Sequence, residues 1–225
     1  MSTYLTINLA IIIFPFLLSL FPQFRFYRNW RALLFSILTV GALFIAWDVL
    51  VTMRGDWAFN PAQISGLKLF YLPLEEWLFF VTVPFSCLFL YNGLELCFSD
   101  RPVKADRRLY LILAGASLLA AWFCRGREYT VIVLLVFALV QLMGSTIWRG
   151  LFSSRHFWLW SGAGLVLFMI FNYILTALPV VTYNPAAITN LRIATIPIED
   201  FFYNFSMLTL YLGTYLWAKT NLLKK

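Results

Sequence analysis

Seven long apolar runs divide the chain, at approximately residues 3–22, 31–53, 73–98, 108–124, 129–149, 157–180 and 197–217, with short charged loops between them. A helix needs roughly 20 mostly apolar residues to cross the hydrocarbon layer, where its backbone groups must be satisfied internally. The pattern predicts an all-α integral membrane protein with seven transmembrane helices. Composition agrees, because 62% hydrophobic, 19% aromatic and 12% charged residues lie outside the range of ordinary soluble domains. The first run lacks a basic leader and a small-residue cleavage site, so it reads as a retained helix rather than a signal peptide.

A formal net charge of +7 invites a nucleic-acid reading, but the cations are distributed by loop. With seven spans, the side holding the N-terminus carries five Lys/Arg and the other side twelve, from Arg25 through Lys225. The positive-inside rule then puts the C-terminus in the cytoplasm and the N-terminus outside, in a multi-pass protein of the cell (inner) membrane. Anionic lipid headgroups suffice as partners for these cations, and no nucleic acid is implied. Cys87, Cys97 and Cys124 lack C-x-x-C spacing and indicate neither a disulfide framework nor a zinc site. His156, in a loop beside Arg155, reads as an interfacial side chain.

A shift of 124 residues lays "FNPAQISGLKLFYLPLEEWLFF" without a gap on "YNPAAITNLRIATIPIEDFFYN". Asn60-Pro61-Ala62 falls on Asn184-Pro185-Ala186, Lys68 on Arg192, and Pro73-Leu74-Glu75-Glu76 on Pro197-Ile198-Glu199-Asp200. The same shift carries Trp47 and Asp48 onto Phe171 and Asn172, and the first three runs onto the last three. The expected architecture is two parallel three-helix repeats, residues 1–100 and 127–225, joined by a linker helix within 101–126. Both acidic pairs then lie at one depth, on the outer side.

Proline followed by acids is a good helix start: its missing N–H is harmless in the first turn, and carboxylates there gain roughly 0.3–1 kcal/mol from the helix dipole. That reading needs no chemistry. Asp48 argues for more, since it sits roughly 7 Å inside the second helix, near the depth of Glu75 and Glu76. Ionisable residues within spans usually face the bundle interior and mark function. Helical spacing also sets each acid one turn above an aromatic or polar side chain, Phe79 and Phe80 in one half and Tyr203 and Asn204 in the other.

The paired Pro-x-Glu-(Glu/Asp) motif, with the Asn-Pro and Trp-Asp before it, resembles the lycopene cyclase domain family of small membrane proteins. Members occur as two subunits, as a fused tandem, or joined to a phytoene synthase. This chain is similar to the fused tandem over nearly its whole length, with nothing after Lys225 for a synthase. The resemblance implies a lycopene β-cyclase, an isomerase of carotenoid biosynthesis that closes the linear ends of lycopene into β rings, through γ-carotene to β-carotene. That chemistry needs an acid to protonate the terminal double bond, a site that tolerates a tertiary carbocation, and a base. Two carboxyl groups sharing an apolar site suit the first and last steps, because they resist ionising together.

The candidate donor is Glu75 or Glu199, with Glu76, Asp200 and Asp48 orienting it, balancing the cation or recovering the proton. Trp47, Trp77, Phe79, Phe80, Phe201, Phe202 and Tyr203 are candidate cation-stabilising rings, each contact contributing roughly 2 kcal/mol when desolvated. Asn60, Asn184, Asn172 and Asn204 complete the candidate substrate surface. The halves are unequal: Asp48 becomes Asn172, Trp77 becomes Phe201 and Phe80 becomes Asn204. Two sites and one composite site both fit the pattern.

No G-x-G-x-x-G or D-D-x-x-D motif occurs, so neither a dinucleotide cofactor nor a metal is expected. Lycopene is expected to enter from the lipid phase, and the sequence admits a homo-oligomer. A carotenoid hydratase would start from the same protonation and let water capture the cation. A small transporter with parallel repeats is the rival from another class, although such proteins bind near the midplane and these acids cluster near one face.

Overall fold

A computed structural model describes residues 1–222; Lys224 and Lys225, part of the basic count, lie outside the described residues. The helices are α1 (Thr3–Ser19), α2 (Trp30–Arg54, preceded by a 3-10 turn at Phe26–Asn29), α3 (Leu74–Cys97), α4 (Arg107–Phe123), α5 (Glu128–Ser145), the short α6 (Arg149–Phe152), α7 (Arg155–Ala177) and α8 (Ile198–Leu222). Four segments, Phe26–Arg54, Leu74–Cys97, Glu128–Ser145 and Arg155–Ala177, are long and apolar enough to cross a membrane. The seven longer helices fall on the seven apolar runs.

The expectation of an all-α chain needs one correction. Six short strands occur in the segments before α3 and α8: β1 (Trp57–Phe59), β2 (Lys68–Leu69), β3 (Leu72–Pro73), β4 (Val181–Tyr183), β5 (Arg192–Ile193) and β6 (Ile196–Pro197). Each half folds a small hairpin, β2 with β3 and β5 with β6, and β1 pairs antiparallel with β4. Such pairing satisfies backbone groups that the helices above leave uncovered. Gly55 ends α2 at φ 78°, a left-handed cap that glycine adopts without strain. Phe70 and Tyr71 form the first hairpin turn at φ 47° and 71°, the left-handed pair that a two-residue hairpin turn requires.

The backbone repeats itself across the 124-residue shift. Ser65 N–H donates to Glu75 and Thr189 N–H to Glu199, both at 2.6 Å. Leu74 N–H donates to Leu67 O and Ile198 N–H to Leu191 O, both at 2.9 Å. The β1–β4 ladder pairs Ala58 with Thr182, its own equivalent, while Trp57 faces Tyr183 and Phe59 faces Val181. Asn60 N–H reaches Val180 O, and Asn184 N–H reaches Asp56 O. These exchanges put a local pseudo-two-fold at the ladder.

Packing crosses between the halves. α1 lies on α3 and α5 on α8, whereas α2 packs across onto α8 and α7 onto α3; α4 lies on α5. Ser36 Oγ of α2 donates to Tyr211 O of α8 at 2.7 Å, and Tyr211 O–H donates to Phe80 O of α3 at 3.3 Å. Buried polar links also tie α1 to α3: Thr82 Oγ1 donates to Asn8 Oδ1 at 2.7 Å, and Asn8 Nδ2 donates to Glu75 O at 3.0 Å. Inside an apolar bundle these bonds fix register, because an unmade one leaves a desolvated polar group.

At Gly213 of α8 an added Cβ would overlap the Trp148 ring. Gly213→Val should therefore destabilise the purified protein by about 1–3 kcal/mol through overpacking, read as a lower thermal unfolding midpoint in detergent. An unchanged midpoint would contradict this packing.

Candidate active site

The starts of α3 and α8 and the ends of α2 and α7 meet at one end of the bundle, under the β1–β4 ladder. Six carboxyl groups among the described residues are buried there: Asp48, Glu75, Glu76, Glu199, Asp200 and Asp56 are all less than 8% exposed, and Asp56 is paired with Arg54. Their positions follow from helix geometry. Adjacent residues point about 100° apart around an α-helix, so the two acids of each pair cannot face the same neighbours.

Glu75 and Glu199 turn toward the loops. Glu75 Oε1 accepts from Ser65 N–H and from Ser2 O–H, each at 2.6 Å. Glu199 Oε1 accepts from Thr189 N–H at 2.6 Å and from Thr130 O–H at 2.7 Å. Each binds the segment before its own helix to the first turn of another.

Glu76, Asp200 and Asp48 instead line a cavity of about 600 Å³. Glu76 Oε2 accepts from Tyr4 O–H at 2.5 Å, and the Asp48 carboxyl lines the same end of the cavity. Among the described residues no N–H or O–H donor reaches either Asp48 oxygen. Asp200 is served differently: Tyr129 O–H donates to Oδ1 at 2.9 Å, and Tyr183 O–H at 2.6 Å and Asn172 Nδ2 at 3.0 Å donate to Oδ2. Burial, with the Asp200 carboxylate beside it, pushes the Tyr183 hydroxyl well above the usual phenol range, so it stays a donor.

From this acidic end the cavity runs along α3 from Glu76 past Phe79, Val83, Leu90 and Gly93 to Phe98. That path is roughly 33 Å at 1.5 Å per residue. The opposite wall comes from α1, α7 and α8, with Phe14, Leu167, Phe168 and Met207 among its residues. Phe14 and Leu167 on this wall are 66% and 41% exposed. All three carboxyl groups that line it sit at one end.

Of the anticipated rings and amides, Phe79, Tyr203, Asn172 and Asn204 line the cavity. The others pack elsewhere. Phe80 is in the core, with its carbonyl bound by Tyr211; Trp77 Nε1 donates to Leu69 O at 3.2 Å, on the hairpin side. Phe201 stacks edge-on with Phe168 at 5.1 Å and Phe202 with Phe137 at 5.0 Å. Trp47 packs behind the site against Tyr203 at 5.0 Å. Asn60 and Asn184 close turns, each Oδ1 accepting a backbone N–H two residues on at 3.0 Å. Anticipation missed Tyr4, Tyr129, Tyr183, Trp57 and Phe59, all on the wall. Tyr4 and Tyr129 have equivalent partners but stand 125 residues apart, one step off the register that exposed the repeat.

The double variant Tyr129→Phe/Tyr183→Phe should cost about 1–3 kcal/mol for each donor withdrawn from buried Asp200, measured as a fall in unfolding midpoint. No fall would show that these bonds do not hold the carboxylate.

A family model described as lycopene cyclase matches residues 1–94 and 126–218. The unmatched stretch between them contains α4. No curated protein and no solved structure matches the chain.

Proposed function

The chain belongs to the lycopene cyclase family, and from that premise we propose that it is a lycopene β-cyclase, an isomerase working by acid–base chemistry alone. The observation that carries this reading is the single cavity holding Asp48, Glu76 and Asp200 at one end of an apolar groove.

The Asp48–Glu76 pair, two buried carboxyl groups lining the same end of the cavity, holds one proton, since two like charges sharing a buried site are costly. That proton is delivered to the terminal double bond of a linear end seated in the groove, leaving a tertiary cation. The neighbouring double bond attacks it, a carbon–carbon bond closes the six-membered ring, and the charge moves to the ring carbon beside the new bond. Loss of the adjacent ring proton to a carboxylate forms the ring double bond. One proton enters and one leaves, so substrate and product have the same mass. Asp200, accepting three hydrogen bonds, is the fixed negative charge that faces the cation. The rings of Phe79, Tyr203 and Trp57 stabilise the cation and exclude the water that would quench it to an alcohol.

Glu75 and Glu199 are positioning residues in this scheme rather than donors, because their bonded oxygens face Ser65 and Thr189 and neither residue lines the groove. Seven spans in two parallel repeats remain the proposed topology, with the N-terminus outside and the C-terminus in the cytoplasm of the cell membrane. Buried Asp200, Asn204, Ser206 and Thr209 lower the apolar character of α8 without facing lipid. The 17 residues of α1 and of α4 reach roughly 26 Å, close to the ~30 Å hydrocarbon layer. Lycopene enters from the lipid phase past the exposed Phe14 and Leu167 of the groove wall.

Expression in bacteria that accumulate lycopene, with chromatography and mass measurement of the pigments, tests the reading. Ringed products of unchanged mass are expected; untouched lycopene would refute it, and a gain of one water would mark a hydratase. Glu76→Gln should lower ring formation at least about 100-fold, the range for loss of a general acid. Glu75→Gln keeps an acceptor oxygen for Ser65 and Ser2 and should retain most activity. The reverse ranking would return the donor role to Glu75.

A further inference from the structure

The proposed cyclase has one acidic end and its substrate has two ends to close. Asp48 and Glu76 from one half and Asp200 from the other meet in the same place, and among the described residues no carboxyl group lines the groove beyond them. A molecule closed at one end must therefore be turned round before its second end can meet the acids. The ring already made then lies at the far end of the groove.

A carotenoid is about as long as the hydrocarbon layer is thick, roughly 30 Å. Along α3, Gly93 lies roughly 26 Å and Phe98 roughly 33 Å from Glu76, so the distant end of the substrate falls between them. Here the wall is open. Gly93 lines the groove, and a Cβ built on it would meet no atom within 4 Å. Cys97 and Phe98 beyond it are exposed. A six-membered ring bearing methyl groups is much broader than the linear end it replaces, and a second turnover needs that breadth at this point.

We infer that the far end of the groove, at Gly93 on α3, is a specificity-determining position that admits a ringed end and so decides whether a second ring is made. The inference rests on the cyclase reading and concerns a position some five turns from the acids. Filling the space at Gly93 leaves room for a slender linear end but not for a ring, so the first closure proceeds and the second fails.

The test uses the full chain and its Gly93→Ala, Gly93→Val and Gly93→Phe variants in lipid vesicles supplied with lycopene, with one-ringed and two-ringed products followed in time. The ratio of two-ringed to one-ringed product should fall in order of side-chain size, by at least about tenfold for Phe, the scale on which apolar pockets discriminate by shape. A ratio unchanged across the series, equal loss of both steps, or one-ringed product alone from the unaltered protein overturns the inference. Lycopene left linear by the unaltered protein instead overturns the cyclase reading on which it rests.

Discussion

Carboxyl groups buried at one end of an apolar bundle dictate what the loops, tyrosines and strands around them must supply. Each such group is expensive unless hydrogen-bonded or paired, and the chain answers with three kinds of partner. Loop amides at Ser65 and Thr189 take the first acid of each pair. Tyrosines take the second: Tyr4 for Glu76, and Tyr129 and Tyr183 for Asp200. For Asp48 the third is the neighbouring Glu76 carboxyl of the same cavity, with no N–H or O–H donor among the described residues. The β1–β4 ladder covers this end and supplies Trp57, Phe59 and Tyr183 to its wall. Arg54 at the end of α2 bridges to Asp56 and, at 3.1 Å, to Glu128 at the start of α5, tying the two halves together above the acids.

The same constraint accounts for the inequality of the halves. Where the first has Asp48 against Glu76, the second has Asn172, whose amide donates to Asp200. Where the first has Phe59, the second has Tyr183, which also donates to Asp200. One carboxyl thus accepts from three donors while the Asp48–Glu76 pair has Tyr4 alone, a division of environments that suits opposite roles in proton transfer. On the proposed mechanism two perfect copies would serve less well, since the reaction needs a proton source and a stable anion within one cavity.

Much of the framework was legible in the sequence. The seven apolar runs foretell the seven longer helices, and the gapless match around Asn60 and Asn184 foretells the backbone bonds that recur 124 residues apart. The choice between neighbouring acids was not legible. Glu75 and Glu76 differ by about 100° of rotation, and on a helix that is apolar all round no polar face tells which direction is inward. Tyr4 and Tyr129 escaped because the first helices of the two halves slip by one residue, and Trp77 and Phe80, expected on the substrate surface, lie off the cavity, since aromatic residues in a membrane bundle also serve as packing. The strands, of two or three residues each, are too short to show alternation.

The central claim is that rings close by donation of an acidic proton and return of another, with no oxidation or reduction. Cyclisation by the purified protein in vesicles made up in heavy water tests it directly. A carboxyl group that exchanges with solvent delivers deuterium to the inner carbon of the terminal double bond and later removes an ordinary hydrogen from the ring, so the one-ringed product should gain one deuterium and the two-ringed product two. Ringed products free of deuterium would contradict the account, because the entering proton would then have a source other than the carboxyl groups of this cavity.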